Sequence, residues 1–367
     1  MTPEVIPVAV VGGGIAGAAA CLRLCQSGHT PLWIAPGTGP GDKPGEHLAA
    51  AARPLLETLG VVDLLDAPCH RHANTMLSAW GSARLGRRDA IVHLEGPPMV
   101  LDRPAFERDL VARALAAGAQ RFEVRLERAA WENGSWLLND AALPGAGFLI
   151  DASGRGAVVA GEHAQRFRAD RLAALHCFLD RDPANPVSPT RATLIEAVEE
   201  GWWYAALLAD GRLALNYYSD PDLLPRDVTR DLAVFRQLLG RTQHVARWVE
   251  EAGFCLVTQA RLASAGTVWI APAAGANWAA VGDAAAAFDP LSSHGMTTAL
   301  WTAIAAADAA LTSQETPLAH YAARVAAGVQ EFLVSHAEIY RQERRFMDRM
   351  FWRRRGRLED ATAKGYD

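Results

Sequence analysis

Gly12-Gly13-Gly14-Ile15-Ala16-Gly17 follows directly on the apolar, β-branched run from Val5 to Val11 and opens a stretch of helical composition, Ile15 to Gln26, that Gly28 ends. This is G-x-G-x-x-G in the strand, turn and helix setting that a dinucleotide pyrophosphate requires. Gly12 permits the tight turn, Gly14 lets the backbone approach the phosphates, and Gly17 lets helix and strand pack closely. Gly13, Ile15 and Ala16 complete the cradle at the positive helix end. Far along the chain, Gly282-Asp283 precedes Asp289-Pro290 and then Ser293-His294-Gly295-Met296 at a second helix start. Two such distant segments would grip a long cofactor at both ends, which is the arrangement expected for FAD. A helix N-terminus there would stabilise the negative charge that a reduced flavin ring develops along its carbonyl edge. Asp289 could serve simply as a helix cap.

One expected group is missing. The acidic residue that normally ends the second strand and binds the adenosine ribose would fall at Ala35, which predicts weaker or exchangeable FAD binding. His294 places a titratable imidazole beside the second loop and is the candidate for proton transfer, or else a hydrogen-bonding spacer. Trp202, Trp203 and Tyr204 are candidates for an aromatic substrate wall, although aromatic residues in a strand are usually core.

Several elements must position these groups. His29 to Ile34 completes a βαβ unit. The leucine spacing from Gly45 to Leu59 predicts an amphipathic helix ending at Gly60. Asp102 can cap a further helix with Pro104 in its first turn. Asn133-Gly134 predicts a tight hairpin between Trp131 and Trp136. Longer strands, Trp202 to Leu208 and Arg212 to Ser219 around Asp210-Gly211, predict an antiparallel sheet. Helical composition returns from Ser293 onward, with Thr316-Pro317 dividing two long helices. The fold class expected is α/β: a Rossmann-like FAD-binding domain (1–72, 96–165 and 276–330), an inserted antiparallel-sheet substrate domain (73–95 and 166–275) and a basic C-terminal helical segment (331–367).

At 367 residues, with half of them hydrophobic, the chain can bury a large core. The start lacks the pattern of a signal peptide, and the expectation is a cytoplasmic protein. Five scattered cysteines offer no disulfide framework and no metal site. The net charge of −5 hides an asymmetry, because Arg341 to Arg357 holds eight arginines against Glu343 and Asp348. That tail reads as a solvated helix or as a dock for an acidic partner. Nucleic acid is not expected, since no binding motif accompanies it.

The glycine turn, Gly45-Glu46-His47-Leu48, Leu101-Asp102-Arg103, Ile150-Asp151-Ala152-Ser153-Gly154-Arg155, Gly201-Trp202-Trp203-Tyr204 and Gly282 through Gly295 together resemble the FAD-dependent oxidoreductases of the para-hydroxybenzoate hydroxylase superfamily, in their halogenase-related branch. The resemblance assigns Asp283 to the ribityl chain, the Pro290 to Met296 segment (with Ser293 and Gly295) to the pyrimidine edge of the ring, and Glu46, Arg103 and Gly282 to the cofactor site. Halogenases of the branch use a catalytic lysine and a Trp-x-Trp-x-Ile-Pro segment; this chain has only Lys43 and Lys364 and reads Trp202-Trp203-Tyr204-Ala205-Ala206-Leu207. It looks closer to the LodB-like and GoxB-like flavoproteins of cysteine tryptophylquinone biogenesis, through Asp289-Pro290-Leu291-Ser292-Ser293 ahead of His294-Gly295, Gly201-Trp202-Trp203-Tyr204 before an Asp-Gly turn, and Tyr340 to Arg355 ending in Phe351-Trp352-Arg353-Arg354-Arg355. The reaction so implied is oxygen insertion, with O2 as co-substrate, into a tryptophan of a quinoprotein oxidase precursor. NAD(P)H or a separate reductase would supply electrons. The alternatives are a monooxygenase or oxidase of a small aromatic metabolite and a non-catalytic flavoprotein chaperone.

Overall fold

Four buried residues, Val8–Val11, form the central strand of a five-stranded parallel sheet whose order is 278–280, 148–151, 8–11, 32–34, 120–122. The computed structural model describes residues 8–37, 43–89, 96–312 and 315–356; Val5 to Pro7, Arg357 and Lys364 lie outside them. At Gly12 the backbone has φ +121°, and a Cβ would sit 2.1 Å from the Ala152 carbonyl oxygen. No residue with a side chain fits that turn. The helix Ile15–Gln26 packs equally tightly, since a Cβ at Gly17 would lie 2.0 Å from the Gly12 oxygen. Trp33, wholly buried on the neighbouring strand, donates its indole N–H to that same oxygen at 2.8 Å. The helices Arg103–Ala116 and Gly295–Ala310 both pack on Ile15–Gln26. Asp102 caps the first of these by accepting from the Ala105 amide at 2.9 Å.

A second, eight-stranded sheet follows the order 254–255, 173–181, 213–219, 201–207, 193–198, 75–79, 86–89, with 261–264 also paired to 173–181. Only the 193–198 and 75–79 pair is parallel. The hairpin register sets Trp202 opposite Tyr218 and Trp203 opposite Tyr217. Because side chains alternate along a strand, Trp202 and Tyr204 share one face and Trp203 takes the other. There Trp203 packs on Phe235 of the helix Leu232–Leu239. Glu196 crosses from this sheet to receive the amides of Gln243, His244 and Val245 at 2.6–2.9 Å, capping the helix His244–Glu251. The described residues are thus mixed α/β, with a parallel five-stranded sheet, a mainly antiparallel eight-stranded sheet and three smaller antiparallel ones.

Two expectations need correction. From Gly45 to Leu59 there is no continuous helix: His47–Leu48 pairs as a short strand with Met99–Val100, Ala50–Ala52 is a 3-10 turn, and the α-helix is only Arg53–Thr58. Pro54 has no N–H to donate to a preceding turn and so begins a helix instead of sitting inside one. The hairpin at Asn133-Gly134 does form, both residues having positive φ (51° and 84°).

The second correction concerns the basic tail, which is strapped to the sheet. The helix Glu315–Gln342 reaches the parallel sheet where Tyr321 donates to the Ala280 oxygen and the eight-stranded sheet where Tyr340 accepts from Trp202, and Phe351 and Trp352 are buried in the short helix Met350–Arg355. Arg355, 4% exposed, donates to Asp220 at 2.7 Å and lies 3.7 Å from Asp170. Arg354 spans Asp220 and Asp222 at 2.8 and 2.7 Å, and Arg345 pairs with the buried Glu343. Opposite charges at hydrogen-bonding distance, not solvent, explain these arginines. Removing one member of a buried pair strands the other. Arg355→Ala is therefore expected to cost about 3–5 kcal/mol in urea unfolding; a loss below about 0.5 kcal/mol, the usual surface value, would restore the solvated reading.

Candidate flavin site

Both distant loops line one cavity of about 290 Å³. Gly14, Ile15 and Ala16 line it from the glycine turn, and Asp289, Pro290, Ser293, Gly295 and Met296 from the downstream loop. The two segments touch, for a Cβ at Gly282 would lie 2.9 Å from that of Ala16. Gly12, Gly13, Gly17 and Gly282 do not line the cavity. Gly12, Gly17 and Gly282 instead supply the close approaches that shape it.

Two helix N-termini open on this space, and neither is closed by a side chain. Gly14 precedes Ile15–Gln26 and His294 precedes Gly295–Ala310, with no side-chain cap and no acidic residue in either first turn. Nothing lies within 4 Å of where a Cβ would stand on Gly14 or Gly295. Unpaired amides at the first turn attract anions. A pyrophosphate suits one end and an electron-rich ring edge the other, so the residues present fit FAD. Glu46 and Arg103 line the waist of the cavity. Arg103 is steered by Glu107 at 2.8 Å and donates to the Gly45 oxygen at 3.1 Å. Asp283 lies 3.6 Å from Arg155. Crowding by surrounding protein raises its carboxyl above the usual range, against the pull of Arg155 and Arg103.

The Asp-Pro loop is held from behind. Asp289, fully buried, accepts from the Leu291 amide through Oδ1 at 2.9 Å, and through Oδ2 from the Tyr340 hydroxyl at 2.8 Å and from His336 Nε2 at 2.9 Å. Burial alone would raise this carboxyl; hydrogen bonding and charge from His336, then the Leu291 amide and Arg355, bring it below the usual carboxylate range. The aspartate does cap, as its sequence position suggested, but the turn it caps is the short Pro290–Ser292. His336, from the helix Glu315–Gln342, carries no local sequence signal that would have marked it, and Tyr340 stands at the head of the Tyr340 to Arg355 segment, where the resemblance gives it no role.

Trp202, Tyr204 and Tyr218 form the cavity wall opposite, and Phe288 completes it. Trp202 is stacked on Tyr218 at 4.0 Å. Trp203, proposed from sequence for this wall, faces away because of strand alternation and is wholly buried among Tyr217 and Phe235. Tyr218 could have been found in the sequence, since the tight turn at Asp210-Gly211 fixes its register against Trp202. The Tyr204 hydroxyl is buried in this wall with no hydrogen-bond partner among the described residues, a group that a ligand's polar edge would satisfy. His294 is exposed and borders two other cavities, of about 460 and 370 Å³, on the flanks of the loop; it does not line the flavin cavity. Its imidazole is pushed down by the surrounding protein, which favours the neutral form.

At the adenosine end, Ala35 is buried beside Gly13, with its Cβ 3.2 Å from where a glycine Cβ would be. A cationic side chain is close by: Arg121 stacks over Trp33 at 5.3 Å and donates to the Pro36 oxygen at 3.1 Å.

No family model matches the chain. It is 26% identical over 364 residues to the putative FAD-dependent oxidoreductase LodB of Marinomonas mediterranea, a match covering 94% of this chain and 95% of that protein. A tryptophan 2-halogenase of Chondromyces crocatus is 22% identical over 324 residues, covering 83% and 61% of the two chains. Among solved structures, QhpG, a peptidyl tryptophan dihydroxylase essential for tryptophylquinone cofactor biogenesis, superposes with a TM-score of 0.78 at 24% identity, covering 98% of this chain and 80% of that one. The myxobacterial chondrochloren halogenase CndH gives a TM-score of 0.84 at 19% identity over 96% and 86%. Those two superpositions establish the fold. The sequence match runs almost end to end, and the chain is a homologue of the LodB-like FAD-dependent oxidoreductase with the fold of flavin-dependent hydroxylases and halogenases.

Proposed function

We propose that this flavoenzyme hydroxylates a tryptophan side chain of a precursor protein during maturation of a tryptophylquinone cofactor. One observation carries the choice of hydroxylation over halogenation. The strand Thr75–Ala79, downstream of Gly45-Glu46, bears no lysine, and Lys43, the one lysine among the described residues, is committed to Glu107 at 2.5 Å. The cavity is therefore lined by an aromatic wall and by no lysine among the described residues. QhpG, whose fold this chain shares, is named for tryptophan dihydroxylation in such a pathway.

Bound FAD would supply the oxygen-activating redox chemistry. The chain itself has four tasks. The first turn of Ile15–Gln26 binds the pyrophosphate, and Asp283 with Arg103 and Arg155 orients the middle of the cofactor. The start of Gly295–Ala310 stabilises negative charge on the ring edge. Trp202, Tyr204, Tyr218 and Phe288 exclude water and hold an indole in place. Indole is electron-rich and attacks an electrophilic oxygen without a strong base, so none is required in the wall.

The partner is proposed to be a protein, with O2 as co-substrate and NAD(P)H or a separate reductase as the electron source. Since Arg345, Arg354 and Arg355 are consumed internally, docking of an acidic segment falls to the exposed Arg341, Arg344 and Arg353. Charge reversal at Arg344 and Arg353 is expected to raise KM for the precursor and leave kcat unchanged; an unaltered KM would remove the tail from recognition.

Co-expression with a quinoprotein precursor is expected to add whole oxygen atoms to a precursor tryptophan, and no halogen in the presence of chloride or bromide. Mass spectrometry showing an unmodified precursor, or turnover of a free small aromatic instead, would displace the proposal. Asp283→Ala is expected to weaken FAD binding by about 1.5–3 kcal/mol, roughly ten- to a hundredfold, as for loss of a charged hydrogen bond. Fluorescence titration of the purified variant measures this, and unchanged affinity would dissociate Asp283 from the cofactor.

A further inference from the structure

Aromatic side chains make a continuous path from the flavin cavity towards the surface. Trp202, in the cavity wall, donates its indole N–H to the Tyr340 hydroxyl at 2.8 Å. Tyr340 in turn donates to Asp289 at 2.8 Å. Next comes Trp80, whose ring centroid lies 5.5 Å from Tyr340 and 6.4 Å from Trp202, and which is 5.1 Å from Trp352. Trp202, Tyr340 and Trp352 are buried, whereas Trp80 is half-buried.

Packing alone does not account for the polar order within this cluster. Leucine or phenylalanine would fill the same space, yet the phenol oxygen accepts an indole N–H and its proton is held by a carboxylate. A buried tyrosine is oxidised without creating an unpaired charge only if its phenolic proton leaves together with the electron. Asp289 stands at the distance needed to receive that proton. The groups facing Asp289 are His336 and Tyr340 from the long helix, Arg355 from the tail helix and Asp170 from the loop before strand 173–181.

We propose that Trp202, Tyr340 and Trp80 form a conduit that carries oxidising equivalents out of the flavin cavity, with Tyr340 lending its proton to Asp289 during passage. The proposal rests on the flavin reading. A hydroxyl radical, the class of oxidant left when activated oxygen finds no substrate, takes one electron from Trp202 and becomes hydroxide. Tyr340 refills Trp202 while its O–H bond breaks and the proton passes to the Asp289 carboxylate. Trp80 then reduces Tyr340 as the proton returns, and a soluble one-electron donor such as ascorbate restores Trp80. One electron thus crosses from the surface to the cavity, and no atom is transferred. An enzyme that activates oxygen beside tryptophan and tyrosine rings is thereby protected in turnovers that find no substrate.

Illuminating the FAD-loaded full chain with blue light withdraws an electron from the cavity wall, and transient absorption reads how long the charges stay apart. Separation is expected to last about tenfold longer in the wild type than in Tyr340→Phe or Trp80→Phe, the consequence of losing a downhill step of about 1.4 kcal/mol. Trp131→Phe, at a 41% exposed tryptophan outside the path, is expected to match the wild type. If Tyr340→Phe does not fold, Trp80→Phe carries the comparison, together with slower quenching by ascorbate. Equal lifetimes in wild type and Trp80→Phe at full FAD occupancy would overturn the conduit and leave the flavin site standing. A wild-type chain that takes up no FAD would overturn both.

Discussion

The carboxylate of Asp289 is the constraint on which the site's geometry depends. It is fully buried, it lies at the turn between the Gly-Asp segment and the helix Gly295–Ala310, and its three donors come from its own loop and from a helix about fifty residues later in sequence. A buried carboxylate is stable only when its lone pairs are filled. Satisfying it fixes where Pro290 to Met296 stand, and hence where the positive end of that helix points. Loop, long helix and aromatic cluster are consequently one unit: Tyr340 serves the carboxylate on one side and the cavity-wall indole of Trp202 on the other.

The opposite end of the cofactor site is set by sterics rather than charge. Gly12 and Gly17 bring strand, turn and helix within distances that no side chain would allow. Between these ends, the eight-stranded sheet contributes by alternation alone: one face offers Trp202, Tyr204 and Tyr218 to the cavity, while the reverse face buries Trp203 and Tyr217 under helices. The basic tail closes the assembly from behind, since pairing of Arg354 and Arg355 with Asp220 and Asp222 anchors Phe351 and Trp352 against the aromatic cluster.

Legibility followed the range of the interaction. The glycine turn, the Asp102 cap, the Asn133-Gly134 hairpin and the strand pairing around Asp210-Gly211 were readable because each is decided within a few residues. The Gly45 to Leu59 helix misled because leucine spacing was weighed above Pro54 and above the pairing of His47–Leu48 with Met99–Val100. Trp203 misled because three consecutive aromatics were treated as one wall, when period-two alternation must split them. The arginine-rich tail misled because a count of charges cannot reveal that Asp170, Asp220 and Asp222 are waiting for them.

By itself the sequence determined that a glycine turn of dinucleotide-binding pattern joins the first strand to the first helix, that a second candidate cofactor loop lies far downstream, and that the chain is mixed α/β. These are properties of short segments, governed by steric permission and by local hydrogen bonding. Only the tertiary structure decided that the two loops line one cavity, that Trp202 and not Trp203 faces it, that Arg121 lies over Trp33 close to the glycine turn, and that Asp289 answers to His336 and Tyr340. Those outcomes depend on which buried charges and hydrogen-bonding groups meet across long stretches of chain, and burial makes each of them demand a partner that its neighbours in sequence cannot supply.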